Sequence, residues 1–336
     1  MYNDIIFFDA TLRDGSHAIK HQLTKENIER YCTSIDKCGL YTIIVGHGNG
    51  LGASSLQVGL SLLSDIEMLS VARKNLKKTR LGTYMIPGFG TIKDNLEPAI
   101  EMGVDLFKIG CHCTEANVTR QHIEFLSKNG KEVYGVLMMY HYATSDQIVE
   151  QAKMMESYGA NGVVIMDSAG ASTPVMVKEV ITKLACSLSC KIGFHAHNNL
   201  GLAIGNTLVA IESGATIVDG TLRGFGAGAG NCQLESVVAI LNKYGYNLNI
   251  DFYQLLRTSE NIVTSFSKTS QGQDANSIVS GINGIFSAFK TQVFNASKNF
   301  GVDMWDIYNE LGKRKPVAGQ EDMVIEIAEK LSKEIK

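Results

Sequence analysis

The run Lys191-Ile192-Gly193-Phe194-His195 decides the fold when it is read together with the residues that follow it. An amphipathic stretch covers residues 202–213, with apolar side chains recurring at the spacing of one helix face. A second apolar run, Thr216-Ile217-Val218-Asp219, comes next. A strand, a helix and another strand, with the strands apolar throughout, form the unit from which helix-covered parallel sheets are built.

The same unit recurs from the N-terminus onward. Six further apolar runs precede these two, at residues 5–8, 42–45, 80–85, 106–109, 133–138 and 162–166. Several helix patterns end in a glycine directly before the next strand, which suits the left-handed residue that terminates a helix. These glycines are Gly39, Gly103, Gly159 and Gly214. Eight such units predict an α/β fold, and they favour a closed (β/α)8 TIM barrel over an open sheet.

The alternation of strands and helices stops near residue 251. Residues 251–268, 276–300 and 321–336 have helical patterns with no strand pattern between them. We therefore expect a TIM-barrel domain at residues 1–255 and a helical C-terminal domain at residues 256–336.

The composition excludes several classes of protein. The 336 residues include 31 Lys and Arg against 34 Asp and Glu, and 45% are hydrophobic. A disordered tail is less hydrophobic than this, and nucleic-acid binders usually carry a basic surplus. No apolar run approaches the roughly 18–20 residues of a membrane helix, and Met1-Tyr2-Asn3-Asp4 lacks the basic start of a signal peptide. We expect a soluble cytoplasmic protein that binds neither nucleic acid nor membrane.

The seven cysteines indicate neither a disulfide framework nor a zinc ribbon, because the number is odd and no CxxC pair occurs. Cys111-His112-Cys113 resembles a fragment of a metal site. Without a second pair, ordinary packing at the end of a strand is the favoured interpretation.

Polar residues that follow the strands are the first candidates for chemistry, because active sites of such barrels lie at the C-terminal ends of the strands. Arg13, Asp14 and His17 follow the first strand, and His195 and His197 end the seventh. Imidazoles at positions i and i+2 of a strand point to the same face. Strands seven, eight and one are consecutive around a closed ring, so Asp14 is expected beside both histidines. A salt-bridge loop and two separately buried histidines are the alternatives.

A glycine-rich stretch, Gly224-Phe225-Gly226-Ala227-Gly228-Ala229-Gly230-Asn231, follows the eighth strand. Its small residues would let the backbone approach a ligand, and barrels often bind phosphate in the loops after strands seven and eight. The stretch fits neither nucleotide fingerprint, because no Walker lysine follows it and it comes after the last strand. Asn231 could reach the metal or orient a ligand.

One carboxylate and two imidazoles with open positions suit Mn²⁺, Mg²⁺, Co²⁺ or Zn²⁺. Such an ion can be chelated by a 2-keto acid and then acts as a Lewis acid on the keto oxygen. Arg13 would donate hydrogen bonds to the developing enolate, and His17 would move the proton, because its unperturbed pKa is near neutrality. Only Lys108 approaches a strand end in this group, so a Schiff-base aldolase is less favoured.

These residues place the chain in a known family by resemblance. It resembles the 4-hydroxy-2-oxovalerate aldolases, pyruvate-specific members of the superfamily that contains hydroxymethylglutaryl-CoA lyase and isopropylmalate synthase. The matching runs span nearly the whole chain: residues 11–19, 112–117, 137–139, 154–160, 195–200, 226–231 and 319–323. The Arg-Asp-Gly and His-x-His motifs mark the superfamily, and the other runs favour the aldolase branch.

The resemblance implies a role for each matching residue. Asp14, His195 and His197 match the metal ligands, with Mn²⁺ the usual ion. Arg13 matches the arginine that stabilises the enolate, and His17 the base that deprotonates the C4 hydroxyl. Ser168 matches a substrate-contacting serine. The C-terminal helices match a region that docks onto an acylating acetaldehyde dehydrogenase, and we expect an oligomer.

Two positions depart from the family pattern. Phe286 stands where the family places an active-site tyrosine near the C4 side of the substrate, and the loss of one hydroxyl removes a hydrogen bond of roughly 0.5–1.5 kcal/mol. Asn49 replaces an aspartate of the family's His-Gly-Asp-Gly motif. The metal chemistry should survive both changes, whereas the preferred aldehyde and the stereochemistry could differ.

The sequence thus predicts a divalent-metal aldolase that cleaves 4-hydroxy-2-oxovalerate, or a close 4-hydroxy-2-oxoacid, to pyruvate and an aldehyde through a metal-bound enolate. A Claisen-type acyl-CoA lyase or synthase of the same superfamily is the nearer alternative. A metallohydrolase with His-x-His is more distant, because there the pair lies on the first strand. A non-catalytic scaffold would have no need for Arg13, Asp14, His17, His195 and His197 together.

Overall fold

A computed structural model describes residues 5–267, 272–317 and 319–334, and within them eight parallel strands close into a barrel. Each strand pairs with the next along the chain, and the last strand pairs with the first. The strands are β1 Ile6–Asp9, β2 Thr42–Ile44, β3 Arg80–Met85, β4 Leu106–His112, β5 Glu132–Met138, β6 Gly162–Asp167, β7 Lys191–Ala196 and β8 Ile217–Gly220. The predicted (β/α)8 barrel is confirmed.

Helices cover the outside of the barrel between and after the strands. They are α1 Lys25–Ile35, α2 Asp65–Asn75, α3 Glu97–Glu101, α4 Arg120–Lys128, α5 Ser145–Ser157, α6 Pro174–Ser187, α7 Ala203–Glu212 and α8 Leu234–Lys243. Thr24, Ser64 and Thr144 form capping boxes that fix where α1, α2 and α5 begin. The four glycines before strands all have φ between 78° and 114°, as expected for residues that end helices.

The barrel interior is mostly apolar and aromatic, with a few charged side chains at the same heights as the rings. Phe8 packs edge-to-face on Tyr134 with ring centroids 4.9 Å apart. Lys108, His195 and Asp219 also lie inside the ring, and all three are fully buried. Charges buried this deeply need partners of opposite charge or hydrogen-bond partners.

Further helices follow the barrel: α9 Phe252–Thr258, α10 Thr264–Phe266, α11 Ala275–Ile282, α12 Lys290–Phe300, α13 Met304–Arg314 and α14 Asp322–Glu334. The helix expected over residues 251–268 is confirmed over residues 252–266, since a π turn at Ser259–Val263 joins α9 to α10 without a break. The expected C-terminal helix is present as α14, and α13 was not predicted. The expectations for residues 1–4, 268, 335 and 336 lie outside the described residues.

The single helix expected over residues 276–300 is wrong. Gly284 has a φ of 66°, which stops α11, and a short 3₁₀ turn then precedes α12. The Gly284 carbonyl accepts hydrogen bonds from His141 Nε2 at 3.2 Å and Tyr142 Oη at 3.0 Å, and both side chains belong to the barrel. The helix therefore breaks where its backbone bonds the barrel, a contact that helical periodicity alone does not reveal.

In the described part of the chain, no helix combines the length and the apolar character that crossing a membrane requires.

Gly110 on β4 provides a test of packing inside the barrel. A Cβ added there would lie 2.0 Å from Tyr84 Oη, whereas a Cβ at Gly205 on α7 would have no heavy atom within 4 Å. Gly110→Ala should lower the free energy of unfolding by about 1–3 kcal/mol through overpacking. Gly205→Ala should leave it unchanged or raise it by up to about 1 kcal/mol, because alanine favours a helix. Urea unfolding of the metal-free proteins measures both, and equal stabilities would contradict the packing described here.

Candidate active site

A tight turn after β1 positions Arg13 and Asp14. The Asp9 carboxylate accepts a hydrogen bond from the Thr11 backbone N–H at 2.9 Å, and the Ala10 carbonyl accepts from the N–H groups of Arg13 and Asp14 at 3.0 and 2.8 Å. Burial raises the pKa of Asp9 to about 6, although bonds from Thr11 and Tyr31 oppose the shift. The turn brings the Arg13 guanidinium to 4.8 Å from the centre of the Tyr84 ring of β3, at the mouth of the barrel.

Asp14 is the most highly connected carboxylate of this mouth. Its Oδ2 accepts from Arg13 Nη1 at 2.8 Å, and its Oδ1 accepts from Asn231 Nδ2 at 2.8 Å and from the Ala227 N–H at 3.1 Å. Burial alone would raise the pKa of Asp14, but Arg13 and the neighbouring imidazoles hold it well below its usual range. Asp14 is therefore an anion, and the loop after β8 fixes its orientation.

His195 and His197 lie beside this carboxylate, as the closed ring predicts. His197 Nε2 is 3.9 Å from Asp14 Oδ2, and the two imidazole centroids are 5.2 Å apart. One donor atom from each of the three residues lies within 4.8 Å of the other two, and all three side chains are buried. Among the described residues this is the one such group of three or more possible metal ligands.

The donor set fits a divalent ion. His195 Nε2 and His197 Nδ1 are buried and have no hydrogen-bond partner in the described part of the chain. Burial, with His195 and Arg13 nearby, lowers the pKa of His197 to about 3, so its imidazole is neutral and able to ligate. One anionic oxygen and neutral imidazole nitrogens are suitable ligands for Mn²⁺, Co²⁺ or Zn²⁺.

Arg13 has guanidinium N–H groups that bond no described residue. Nη1 bonds Asp14 and also the Gly48 carbonyl at 3.1 Å. Nε and Nη2 are buried and have no partner among the described residues. Buried N–H groups of a guanidinium rarely stay unpaired, so this side of Arg13 is suited to an anionic oxygen of a ligand.

His17 lies on the same turn, against the loop after β2. A Cβ at Gly48 would come within 2.3 Å of His17 Nε2, so only glycine allows this approach. Burial lowers the pKa of His17, although Asp14 opposes the shift, and the imidazole is therefore a neutral base near pH 7. Behind it, the rings of His21 and His47 are stacked with centroids 3.7 Å apart.

Ser168 lies beside the segment that carries Phe286. The Ser168 hydroxyl accepts from the Met139 N–H at 3.2 Å, and the Ser168 carbonyl accepts from the Ser287 N–H at 3.1 Å. The Phe286 ring lines a cavity of about 320 Å³ together with Ile86, Phe89, Cys111, Met138 and Met139. Met138, which lines this cavity, has its sulfur 3.1 Å from the Tyr84 hydroxyl. Because the Tyr84 ring lies against the Arg13 guanidinium, the cavity is close to Arg13.

Cys111 and Cys113 pack at the end of β4 as the favoured interpretation expected. Cys113 Sγ donates to the Met139 carbonyl at 3.3 Å, and burial raises the pKa of both thiols. Neither cysteine joins a group of possible metal ligands within the described ranges.

Lys108 and Asp219 belong to the site, although the sequence argument weighed Lys108 only for a Schiff base and gave Asp219 no role in the favoured mechanism. The Lys108 ammonium is paired with Asp219 Oδ2, and Asp219 Oδ1 lies 3.2 Å from His195 Nδ1. Burial would raise the pKa of Asp219, but Lys108 and His195 lower it overall. The signal was present in the sequence: Lys108 interrupts an apolar strand, and a lysine inside a barrel needs a carboxylate partner.

Comparisons with known proteins agree with this geometry. Residues 4–262 match the HMGL-like family, and residues 271–333 match the DmpG-like communication domain. A relative from Pectobacterium atrosepticum, named 4-hydroxy-2-oxovalerate aldolase, is 48% identical over 99% of this chain and 97% of its own length. One of the same name from Spirochaeta aurantia is 47% identical over 97% and 96%.

Similarity in fold extends further than similarity in sequence. The carboxyl transferase domain of Rhizobium etli pyruvate carboxylase, solved with pyruvate and biocytin, matches with a TM-score of 0.84 at 16% identity. That match covers 99% of this chain and 62% of the other. At this identity it shows the shared barrel and nothing of function. The family match and the full-length relatives establish that the chain belongs to the 4-hydroxy-2-oxovalerate aldolases within the HMGL-like family.

Proposed function

We propose that the protein is a divalent-metal-dependent aldolase that cleaves 4-hydroxy-2-oxovalerate, or a close 4-hydroxy-2-oxoacid, to pyruvate and an aldehyde. The observation that carries the proposal is the buried group of Asp14, His195 and His197 beside the unpaired donors of Arg13. The names of the full-length relatives support the same reaction.

We propose that Asp14, His195 and His197 hold the ion, with Mn²⁺ the first candidate. When bound, a divalent ion supplies Lewis-acid stabilisation of negative charge on substrate oxygens. Asn231 would orient Asp14 through its 2.8 Å hydrogen bond and would not need to contact the ion itself.

The reaction breaks the C3–C4 bond of the substrate. His17 would accept the proton of the C4 hydroxyl, and the C4 oxygen would become the carbonyl of the aldehyde. The electron pair of the broken bond passes to C3 and the C2 carbonyl, leaving pyruvate as its enolate. Nε and Nη2 of Arg13 would stabilise the charge on the C2 oxygen. The proton taken by His17, returned to C3 directly or through solvent, completes pyruvate and leaves His17 neutral.

Ser168 and Phe286 would shape the substrate pocket. Ser168 lies directly after β6, where its hydroxyl is anchored by Met139. Phe286 would contact the C4 side of the substrate with an apolar ring, where the family pattern has a tyrosine.

We also propose that the C-terminal helices bind an acylating acetaldehyde dehydrogenase, with residues 1–255 carrying the chemistry and residues 256–336 the docking surface. The match to the DmpG-like communication domain supports this. Large apolar side chains of these helices are exposed: Ile278, Ile282, Phe294, Trp305 and Ile325. An oligomer of the chain is part of the same proposal.

Pyruvate release tests the reaction and its metal dependence. Protein loaded with Mn²⁺ should release pyruvate from racemic 4-hydroxy-2-oxopentanoate, which is the systematic name of 4-hydroxy-2-oxovalerate. Release is measured with lactate dehydrogenase and NADH. EDTA treatment should abolish release, and added Mn²⁺ should restore it. Asp14→Asn should lower the rate by more than about 100-fold, because it removes a ligand charge. The matched control is Asp105→Asn, which removes a carboxylate that pairs with Arg73 outside the barrel at 2.9 Å.

Full activity of Asp14→Asn would overturn the proposed metal site. Consumption of a hydroxyacyl-CoA in place of the oxoacid would instead favour the Claisen-type alternative.

The pH dependence tests the role of His17. Because burial lowers its pKa from 6.5, the base form should predominate above pH 6.5, and kcat/KM should fall only on the acid side of that value. His17→Asn should lower kcat by about 10²–10⁴-fold and remove this acid limb. The control is His122→Asn, on the outer helix α4. An acid limb that persists unchanged in His17→Asn would assign the titration to another group.

Substrate selectivity tests the role of Phe286. Phe286→Tyr restores a hydroxyl near C4 and should raise kcat/KM for 4-hydroxy-2-oxopentanoate by about 2- to 10-fold, the equivalent of one hydrogen bond. Mn²⁺ affinity should not change. Phe294→Tyr, on the exposed side of α12, serves as the control. If both variants behave alike, Phe286 does not contact the substrate.

A further inference from the structure

We propose that Asp219, held by Lys108, is a positioning residue for the metal site. It would orient the His195 ring through Nδ1, so that Nε2 is presented toward Asp14 and His197. This inference depends on the proposed metal site and extends it to two residues that are outside the expected ligand set.

Strand register places Asp219 against His195. The two residues are paired neighbours on β8 and β7, so both side chains point into the barrel at the same height. Asp219 Oδ1 is 3.2 Å from His195 Nδ1, a hydrogen-bond distance, although the N–H is not well aligned with the oxygen. His195 Nε2 is therefore the ring nitrogen left for a ligand.

Asp219 has little else to bind. Its Oδ1 has no other partner in the described part of the chain, and its Oδ2 is paired with Lys108. The side chains of Asp219 and Lys108 have no exposed surface. A buried carboxylate whose one free oxygen faces a histidine is the arrangement that fixes the tautomer and the ring orientation of metal-binding histidines.

Lys108 provides the charge that makes this arrangement possible. It projects from β4, on the opposite side of the ring from β8, and crosses the interior between the rings of Phe8 and Tyr84, each 6.0 Å away. Aromatic side chains alone would not compensate a buried carboxylate. Lys108 therefore allows Asp219 to be an anion under the metal site, and it is not free to form a Schiff base.

The Lys108–Asp219 pair also explains why the surroundings of His195 and His197 differ. A carboxylate oxygen of Asp219 lies 3.2 Å from His195 Nδ1, whereas the nearest carboxylate oxygen to His197 among the described residues is Asp14 Oδ2, 3.9 Å from its Nε2. The orientation of His195 would thus come from the barrel interior. The orientation of His197 would come from the strand end, where it forms a backbone bridge with Asn231.

Metal affinity measured without substrate tests the proposal. Metal-free protein is titrated with Mn²⁺, and free Mn²⁺ is followed by electron paramagnetic resonance. Asp219→Asn should raise the Mn²⁺ Kd by about 10- to 100-fold, the usual effect of losing a partner behind a metal ligand. The visible spectrum of the Co²⁺-loaded variant should also differ from that of the parent protein, because the geometry around the ion changes.

Tyr134→Phe is the matched control, because it removes a buried hydroxyl from the same barrel interior. That hydroxyl donates to Glu132 at 2.5 Å and does not bond Asp219. It should change stability without changing the Mn²⁺ Kd. If Asp219→Asn does not fold, Lys108→Met/Asp219→Asn removes both charges together and should show the same loss of affinity.

Each outcome separates this inference from the proposed function. A folded Asp219→Asn or double variant with a Kd within about twofold of the parent, and an unchanged Co²⁺ spectrum, overturns the positioning role and leaves the aldolase proposal intact. A parent protein that binds no Mn²⁺ overturns the metal site itself, and with it both proposals.

Discussion

The pairing of β8 with β1 is the constraint on which the site depends. Asp14 and His195 are 181 positions apart in the chain, and they become neighbours only because the sheet closes. In an open sheet, β1 and β7 would lie on different parts of the edge. Closure also sets the height of each side chain, since the register aligns Phe8, Asp219 and His195 in one layer of the interior.

The mouth of the barrel is completed by the segment that follows it. Ser287 donates to the Ser168 carbonyl from its backbone and to Asn199 Oδ1 from its hydroxyl, at 3.1 and 2.9 Å. Gly284 accepts from two barrel side chains, and between these contacts Phe286 forms part of the cavity wall. The helical region is therefore continuous with the wall of this cavity.

Local patterns in the sequence predicted most of the fold. Apolar runs and terminal glycines located every strand to within a few residues, because strands buried on both faces are mostly apolar. The expectation that Asp14 approaches His195 and His197 rested on topology and is confirmed by the geometry. The chemistry of the residues suggested the roles of Arg13 and His17, and the family resemblance supplied that of Ser168. All three roles are still predictions.

What the sequence did not reveal depends on contacts between distant segments. The helix break at Gly284 follows from hydrogen bonds with His141 and Tyr142, more than 140 positions away. The partnership of Lys108 and Asp219 spans the width of the barrel. Lys108 signals that a carboxylate partner is needed, but the sequence pattern does not identify Asp219 as that partner. Periodicity describes one element at a time, so neither contact could be obtained from it.

The glycine-rich loop after β8 packs closely against Asp14. A Cβ at Gly226 would lie 1.8 Å from Asn231 Nδ2 and 2.5 Å from Asp14 Oδ1, so the bare backbone makes room for the carboxylate and its amide partner. Glycine loses more conformational entropy on folding than any other residue, and a stretch with four of them is costly to order. The bonds that Asp14 accepts from Ala227 and Asn231 offset part of that cost. Order in this loop and negative charge on Asp14 are therefore thermodynamically linked.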